Sequence, residues 1–162
     1  MSNKMKINLK VNGENVTYEI EPQQNLLRVL RDNYIYDVKC GCEEGDCGTC
    51  TVLLDGVTVK SCITLAAACD GCEIWTDKGL GYNDRVAARL QAAFVECGSV
   101  QCGFCTPGMI VVGVSYLKNG GKPDRNAIKK AISGNLCRCT GYVKIVDAIY
   151  KVAKEIEEGV LA

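Results

Sequence analysis

The 162-residue chain contains no histidine. That removes the side chain most used for proton transfer near neutral pH. It also removes every zinc or Rieske arrangement that depends on imidazole. Aromatic residues are scarce, at 6% of the chain, although hydrophobic residues reach 48%. Small units with thin cores usually need a staple such as a disulfide or a metal. Acidic and basic residues balance at 19 each and are well mixed, which gives no charged face for nucleic acid or anionic lipid. No apolar run approaches the roughly 20 residues of a membrane-spanning helix. Met1 to Lys10 carries three lysines and no long apolar stretch, so no signal peptide is expected and the expected compartment is the cytoplasm.

Cysteine is the residue in excess, with twelve in the chain. In a reducing compartment such abundance points to metal or catalysis rather than to disulfides. Without histidine, metal is held by sulfur or not at all. Eight of the twelve fall into two quartets. The first is Cys42, Cys47, Cys50 and Cys62, written C-x4-C-x2-C with a fourth cysteine after a short hairpin, which is the plant-type [2Fe–2S] spacing. Gly41, Gly45 and Gly48 let the main chain approach the sulfurs closely. Zinc sites more often present two separated pairs, so this spacing favours iron–sulfur. Starting instead from Cys40 would read C-x6-C, and Cys40 is expected to be a spare thiol beside the site. The second quartet, Cys102, Cys105, Cys137 and Cys139, is a C-x-x-C pair answered by a C-x-C pair. Spacing alone leaves zinc and a cluster both open there, with only a modest preference for the cluster.

The pattern along the chain predicts an α+β protein. Alternating residues around Asn12-Gly13 and around Asp55-Gly56 signal two hairpins. Leucines at helical spacing predict a helix near Asn25 to Asn33, and a short strand is expected near Glu73 to Thr76. This is the element order of a β-grasp. Asp77 to Gly81 reads as a linker. Four helices are expected beyond it: from a cap at Asp84 to Cys97, from Thr106-Pro107 to Asn119, from a cap at Asp124 to Gly134, and from near Tyr142 to Glu157. The expected units are residues 1–78, ferredoxin-like, and 79–162, a four-helix bundle. Both second-quartet pairs precede an expected helix, so two helix N-termini would face one anionic centre.

Three stretches then carry a resemblance: Gly41-Cys42 through Gly45-Asp46-Cys47-Gly48-Thr49-Cys50, Gln101-Cys102-Gly103-Phe104-Cys105-Thr106-Pro107-Gly108, and Gly134-Asn135-Leu136-Cys137-Arg138-Cys139-Thr140-Gly141-Tyr142. In this order they closely resemble the small iron–sulfur subunit of molybdenum hydroxylases, the xanthine dehydrogenase, aldehyde oxidoreductase and carbon monoxide dehydrogenase family. The resemblance covers about Lys6 to Ala153. It implies one [2Fe–2S] cluster in each half, a large partner subunit carrying molybdopterin, and usually a third subunit carrying FAD. It also implies that Gln101 and Cys139 sit against the pterin, that electrons enter at the C-terminal quartet and leave from the N-terminal one, and that this chain holds no catalytic residue. A free-standing two-cluster carrier is the alternative, but such carriers tend to be acidic. Cys40, Cys69, Cys72 and Cys97 depart from the family pattern. Cys69 and Cys97 lie among apolar residues and are expected to act as small buried hydrophobes.

Overall fold

Alternation of apolar and polar residues along Met5–Val11 (β1) and Glu14–Ile20 (β2) gives two strands joined at Asn12-Gly13. Ile7 pairs opposite Tyr18 and Leu9 opposite Val16. The computed structural model describes residues 4–161. Residues 1–3 and 162, the outer ends of the two expected units, lie outside the described residues. Thr51–Leu54 (β3) and Val57–Lys60 (β4) form the second hairpin. Glu73–Trp75 (β5) runs parallel to β1 and antiparallel to β3. The sheet order is therefore β2-β1-β5-β3-β4. Asn25 caps Leu26–Asp32 (α1) by accepting the Arg28 N–H at 2.9 Å. Leu26, Leu27, Val29 and Leu30 of α1 are buried in one core with Ile7, Leu9, Ile20, Val52 and Ile74.

Beyond the sheet the chain is helical: Asp77–Asn83 (α2), Arg85–Glu96 (α3), Thr106–Lys118 (α4), Arg125–Ala131 (α5) and Val143–Glu157 (α6). The fold is thus α+β, a five-stranded sheet with six α-helices among the described residues. The segment Asp77 to Gly81, expected as a linker, is instead the start of α2. Thr76 caps it by accepting the Gly79 N–H, and the Asn12 side chain clamps Thr76, accepting its N–H at 2.9 Å and donating to its Oγ1 at 3.1 Å. Glycine composition hid this cap and the burial of Leu80 behind it.

The sheet is covered on two faces at β3, where successive side chains point to opposite sides. Val52 belongs to the core beneath α1, while Leu53 joins the helical core of Leu90, Phe94, Met109, Val114, Ile145 and Ile149. Burying both neighbours fixes the helical half against the sheet, because a one-residue slip would exchange their faces.

Two carboxylates at the start of this half make opposite contributions. Asp84 caps α3, accepting the Ala87 N–H at 2.9 Å, and also meets Lys118 on α4 at 2.5 Å. Partial burial acts against its charge, but Lys118 and the capping amides hold its carboxyl below the usual range. Asp77 is pushed up to about 6 by burial, against the hydrogen bond from Gln91. Its folded form therefore binds a proton more readily than the unfolded chain, and its contribution to stability falls as pH rises from about 4 through about 6. Asp84→Ala should lower unfolding stability at pH 7 by about 1–2 kcal/mol. Asp77→Asn should gain on wild type as pH rises through that window. Denaturant titrations at pH 4.5 and 7 check both; an Asp77→Asn difference that does not change with pH would contradict the second.

Candidate metal centres

The first quartet is set by a loop, Gly41 to Cys50, which leads directly into β3. The β3–β4 hairpin then returns the chain to Cys62 in a 3-10 turn, Ser61–Ile63. The return is fastened by the Ser61 hydroxyl, which donates to the Cys50 carbonyl at 2.7 Å. Within the loop, backbone amides turn toward sulfur: Cys47 N–H and Glu44 N–H donate to Cys42 Sγ at 3.3 and 3.4 Å, and Cys42 N–H donates to Cys47 Sγ at 3.4 Å. The Cys47 N–H first, then that of Glu44, bring the Cys42 thiol down to about 6. Cys50 and Cys62 are buried. Burial, then the neighbouring Cys50, pushes the Cys62 thiol up to about 11. Lys60 donates its ammonium to the Gly45 carbonyl and so places a positive charge beside the loop.

The second quartet joins the start of α4 to the segment between α5 and α6. Cys102 and Cys139 are exposed, with their sulfurs 3.7 Å apart. Cys105 is buried beside Cys137, and burial first, then Cys137, pushes its thiol up to about 12. Burial would raise Cys137 as well, but the Thr140 hydroxyl and N–H, the latter at 3.4 Å, bring it below its ordinary value. The expected helix starts need correction. Cys105 occupies the cap position of α4, and Thr106 is its first helical residue rather than its cap. Helix α6 begins at Val143, four residues beyond Cys139, behind a left-handed Tyr142. The amide that reaches a sulfur here therefore comes from the turn at Thr140, not from the first turn of α6.

The thiols thus meet two by two: Cys42 with Cys47, Cys50 with Cys62, Cys102 with Cys139, and Cys105 with Cys137. A tetrahedral metal with metal–sulfur bonds of about 2.3 Å separates two of its thiolates by about 3.8 Å. A disulfide would bring them to about 2.05 Å, so the 3.7 Å between Cys102 and Cys139 suits one shared metal and no bond. Among the described residues no three ligating side chains converge as a single metal ion would require. Eight cysteine thiols in two sets of four are the all-sulfur donor sets that binuclear iron–sulfur centres take, and they fit such clusters.

The quartets touch. Leu136 N–H donates to the Cys47 carbonyl at 2.9 Å, and Asn135 Nδ2 donates to the Gly48 carbonyl at 2.9 Å. Gly48 (φ 69°) and Gly108 make this approach possible, since a Cβ on Gly108 would lie 2.5 Å from the Gly48 carbonyl and one on Gly48 would strike Gly134 and Asn135. The sequence named the cysteines but not Asn135, Lys60, Thr49, Thr140 or Tyr142. Thr49, between Cys47 and Cys50, and Thr140, next to Cys139, were the one available signal. Gln101 is exposed beside Cys102. Among the spare thiols, Cys69 is buried at 1% exposure. Cys97 is only partly buried, at the C-cap of α3, where it packs against the helical core. Cys40 donates to Glu43 at 3.0 Å, and Glu43 pairs with Arg28 at 2.6 Å.

Residues 9–74 match the family model of the 2Fe-2S iron-sulfur cluster binding domain, and residues 76–150 that of the [2Fe-2S] binding domain. The chain is 45% identical to the nicotinate dehydrogenase small FeS subunit of Eubacterium barkeri, covering 91% of this chain and 94% of that one. It is 40% identical to the xanthine dehydrogenase iron-sulfur-binding subunit of Escherichia coli O157:H7, covering 91% and 94%. A chain of quinoline 2-oxidoreductase from Pseudomonas putida 86 superposes with a TM-score of 0.89 at 40% identity, covering 98% of this chain and 99% of that one.

Gly48→Ala should cost about 3 kcal/mol or more, since it adds left-handed strain and overpacking at the contact. Gly56→Ala, with a positive φ but open space around it, should cost about 1 kcal/mol. Equal losses in denaturant unfolding would contradict the close approach.

Proposed function

Because the chain belongs to the small iron–sulfur subunits of the molybdenum hydroxylase family, we propose that it relays single electrons through two [2Fe–2S] centres held by the two quartets. The ligands are Cys42, Cys47, Cys50 and Cys62 in residues 1–78, and Cys102, Cys105, Cys137 and Cys139 in residues 79–162. The division falls within α2, and α3 to α6 form the four-helix unit. Such clusters supply one-electron storage between a site that oxidises its substrate by two electrons and a later acceptor. This chain's own residues hold the sulfurs, shield them and set the order of contact. It carries no catalytic residue and works as part of an oxidoreductase complex, with a large molybdopterin-binding subunit and an FAD-binding subunit as partners.

The single observation that carries the relay is the hydrogen-bonded contact between the loops that hold the quartets. The Leu136 N–H joins the residue before Cys137 to the carbonyl of Cys47 at 2.9 Å, so the two centres share one short covalent and hydrogen-bonded route. Each quartet also has an outer side. Around the second, exposed Cys102 and Cys139 are accompanied by Val100, Phe104, Leu136 and Val143, all large apolar side chains left in solvent. We assign this patch to the molybdopterin subunit, with Gln101 and Cys139 against the pterin. Around the first, Ile63 and Leu65 are exposed beside the buried Cys62, and we assign this side to the FAD subunit. A free-standing carrier would leave both apolar patches in water permanently, which favours a resident subunit. No helix among the described residues is long and apolar enough to cross a membrane. We place the complex in the cytoplasm, where the four thiols that hold no metal, Cys40, Cys69, Cys72 and Cys97, stay reduced.

Anaerobic purification of the native protein with metal, flavin and subunit analysis tests this reading. The expected result is about four irons per small chain, with molybdenum and FAD in co-purifying chains. An iron-loaded chain that purifies alone would favour the carrier, and zinc in either quartet would overturn the ligand assignment.

A further inference from the structure

We propose that Thr49 and Thr140 set the reduction potentials of the two centres, each donating its hydroxyl proton to one ligand thiolate, Thr49 to Cys47 and Thr140 to Cys137. The proposal rests on the iron–sulfur reading above. Thr49 Oγ1 lies 3.3 Å from Cys47 Sγ, and Thr140 Oγ1 lies 3.1 Å from Cys137 Sγ. A cysteine that ligates metal is a thiolate and can only accept, so in both contacts the threonine is the donor.

Both contacts are built into the local backbone. A Cβ on Gly41 would come within 2.8 Å of Cys47 Sγ and 2.9 Å of Thr49 Oγ1. Gly41 does not take a positive φ, so glycine there serves to clear the space around this pair. In the second loop, Tyr142 N–H donates to Thr140 Oγ1 at 3.2 Å, which occupies a lone pair and leaves the hydroxyl proton for sulfur. That requires Tyr142 at φ 67°, a left-handed conformation costing a bulky residue about 1–3 kcal/mol. The Tyr142 hydroxyl in turn accepts the Cys137 N–H at 2.9 Å. Both ends of one strained residue therefore hold the Cys137–Thr140 turn.

The choice of sulfurs is selective. Cys47 and Cys137 are the ligands nearest the Leu136–Cys47 hydrogen bond, and among the described residues no hydroxyl donates to the sulfur of Cys42, Cys50, Cys62, Cys102, Cys105 or Cys139. Reduction adds negative charge, so a donor at sulfur stabilises the reduced form more than the oxidised one and raises the potential. One hydroxyl on one ligand of each quartet therefore raises both potentials.

The test is a redox titration of the anaerobically purified complex, followed by electron paramagnetic resonance, with Thr49→Val, Thr140→Val and the two Thr→Ser variants. Each valine variant should lower one reduction step, a different one for each. The expected size is roughly tenfold in the ratio of reduced to oxidised centre, about 59 mV for a one-electron couple. The serine variants should match wild type, because they keep the hydroxyl and lose only the methyl group. Valine variants with full iron and unchanged steps would overturn the proposal, as would serine variants that shift like valine. If a valine variant does not load iron, the alanine variant at the same threonine takes its place in the titration, and an unchanged step there overturns the proposal. Absence of molybdenum would defeat the family function yet leave this titration readable, since it needs iron alone.

Discussion

The structure depends on one backbone contact, the approach of the Cys47-Gly48 peptide to Asn135 and Leu136. The residues involved are 87 apart for the Gly48–Asn135 bond, and Asn135 is only 4% exposed. Two units that each need a metal staple could be joined loosely, and then their centres would be independent. Here the loop that holds the first quartet supplies part of the wall of the second. Leu53 reinforces the contact from the sheet by burying itself among the helices. Geometry that serves packing also fixes the separation of the two sets of sulfurs.

Burial is divided unevenly among the ligands, and the division has a use. Cys50, Cys62 and Cys105 are buried, whereas Cys102 and Cys139 reach the surface. Thiols as reluctant to ionise as Cys62 and Cys105 gain their charge by binding metal, which couples loading to folding of the surrounding core. The exposed pair lies where a partner protein can approach a centre closely. Backbone amides, Thr49, Thr140 and the Lys60 ammonium offset charge around the loops that hold the sulfurs.

Much of this was legible in the sequence because it is local. Asn12-Gly13 and Asp55-Gly56 announce hairpins through their turn chemistry, and Asp84 and Asp124 announce helix starts through their side chains. The four cysteines of the first quartet identify themselves by spacing. What could not be read is non-local or conformational. Helix α2 hides behind two glycines because its cap, Thr76, is held by Asn12 from a distant hairpin. The pairing of Cys102 with Cys139 follows from the turn at Thr140, not from order in the chain. Tyr142 gives no sign that it is left-handed, since bulky residues rarely are. Gly48 reads as a cluster-loop glycine, yet its closest neighbours belong to the other half of the chain.

The central claim is that two binuclear centres are held in adjoining, hydrogen-bonded loops and act in series. Electron paramagnetic resonance of the fully reduced native complex tests it most directly. The account predicts about two spins per small chain, from two distinct signals that split or broaden each other at low temperature. A single paramagnetic centre per chain, or two signals with no mutual interaction, would contradict it.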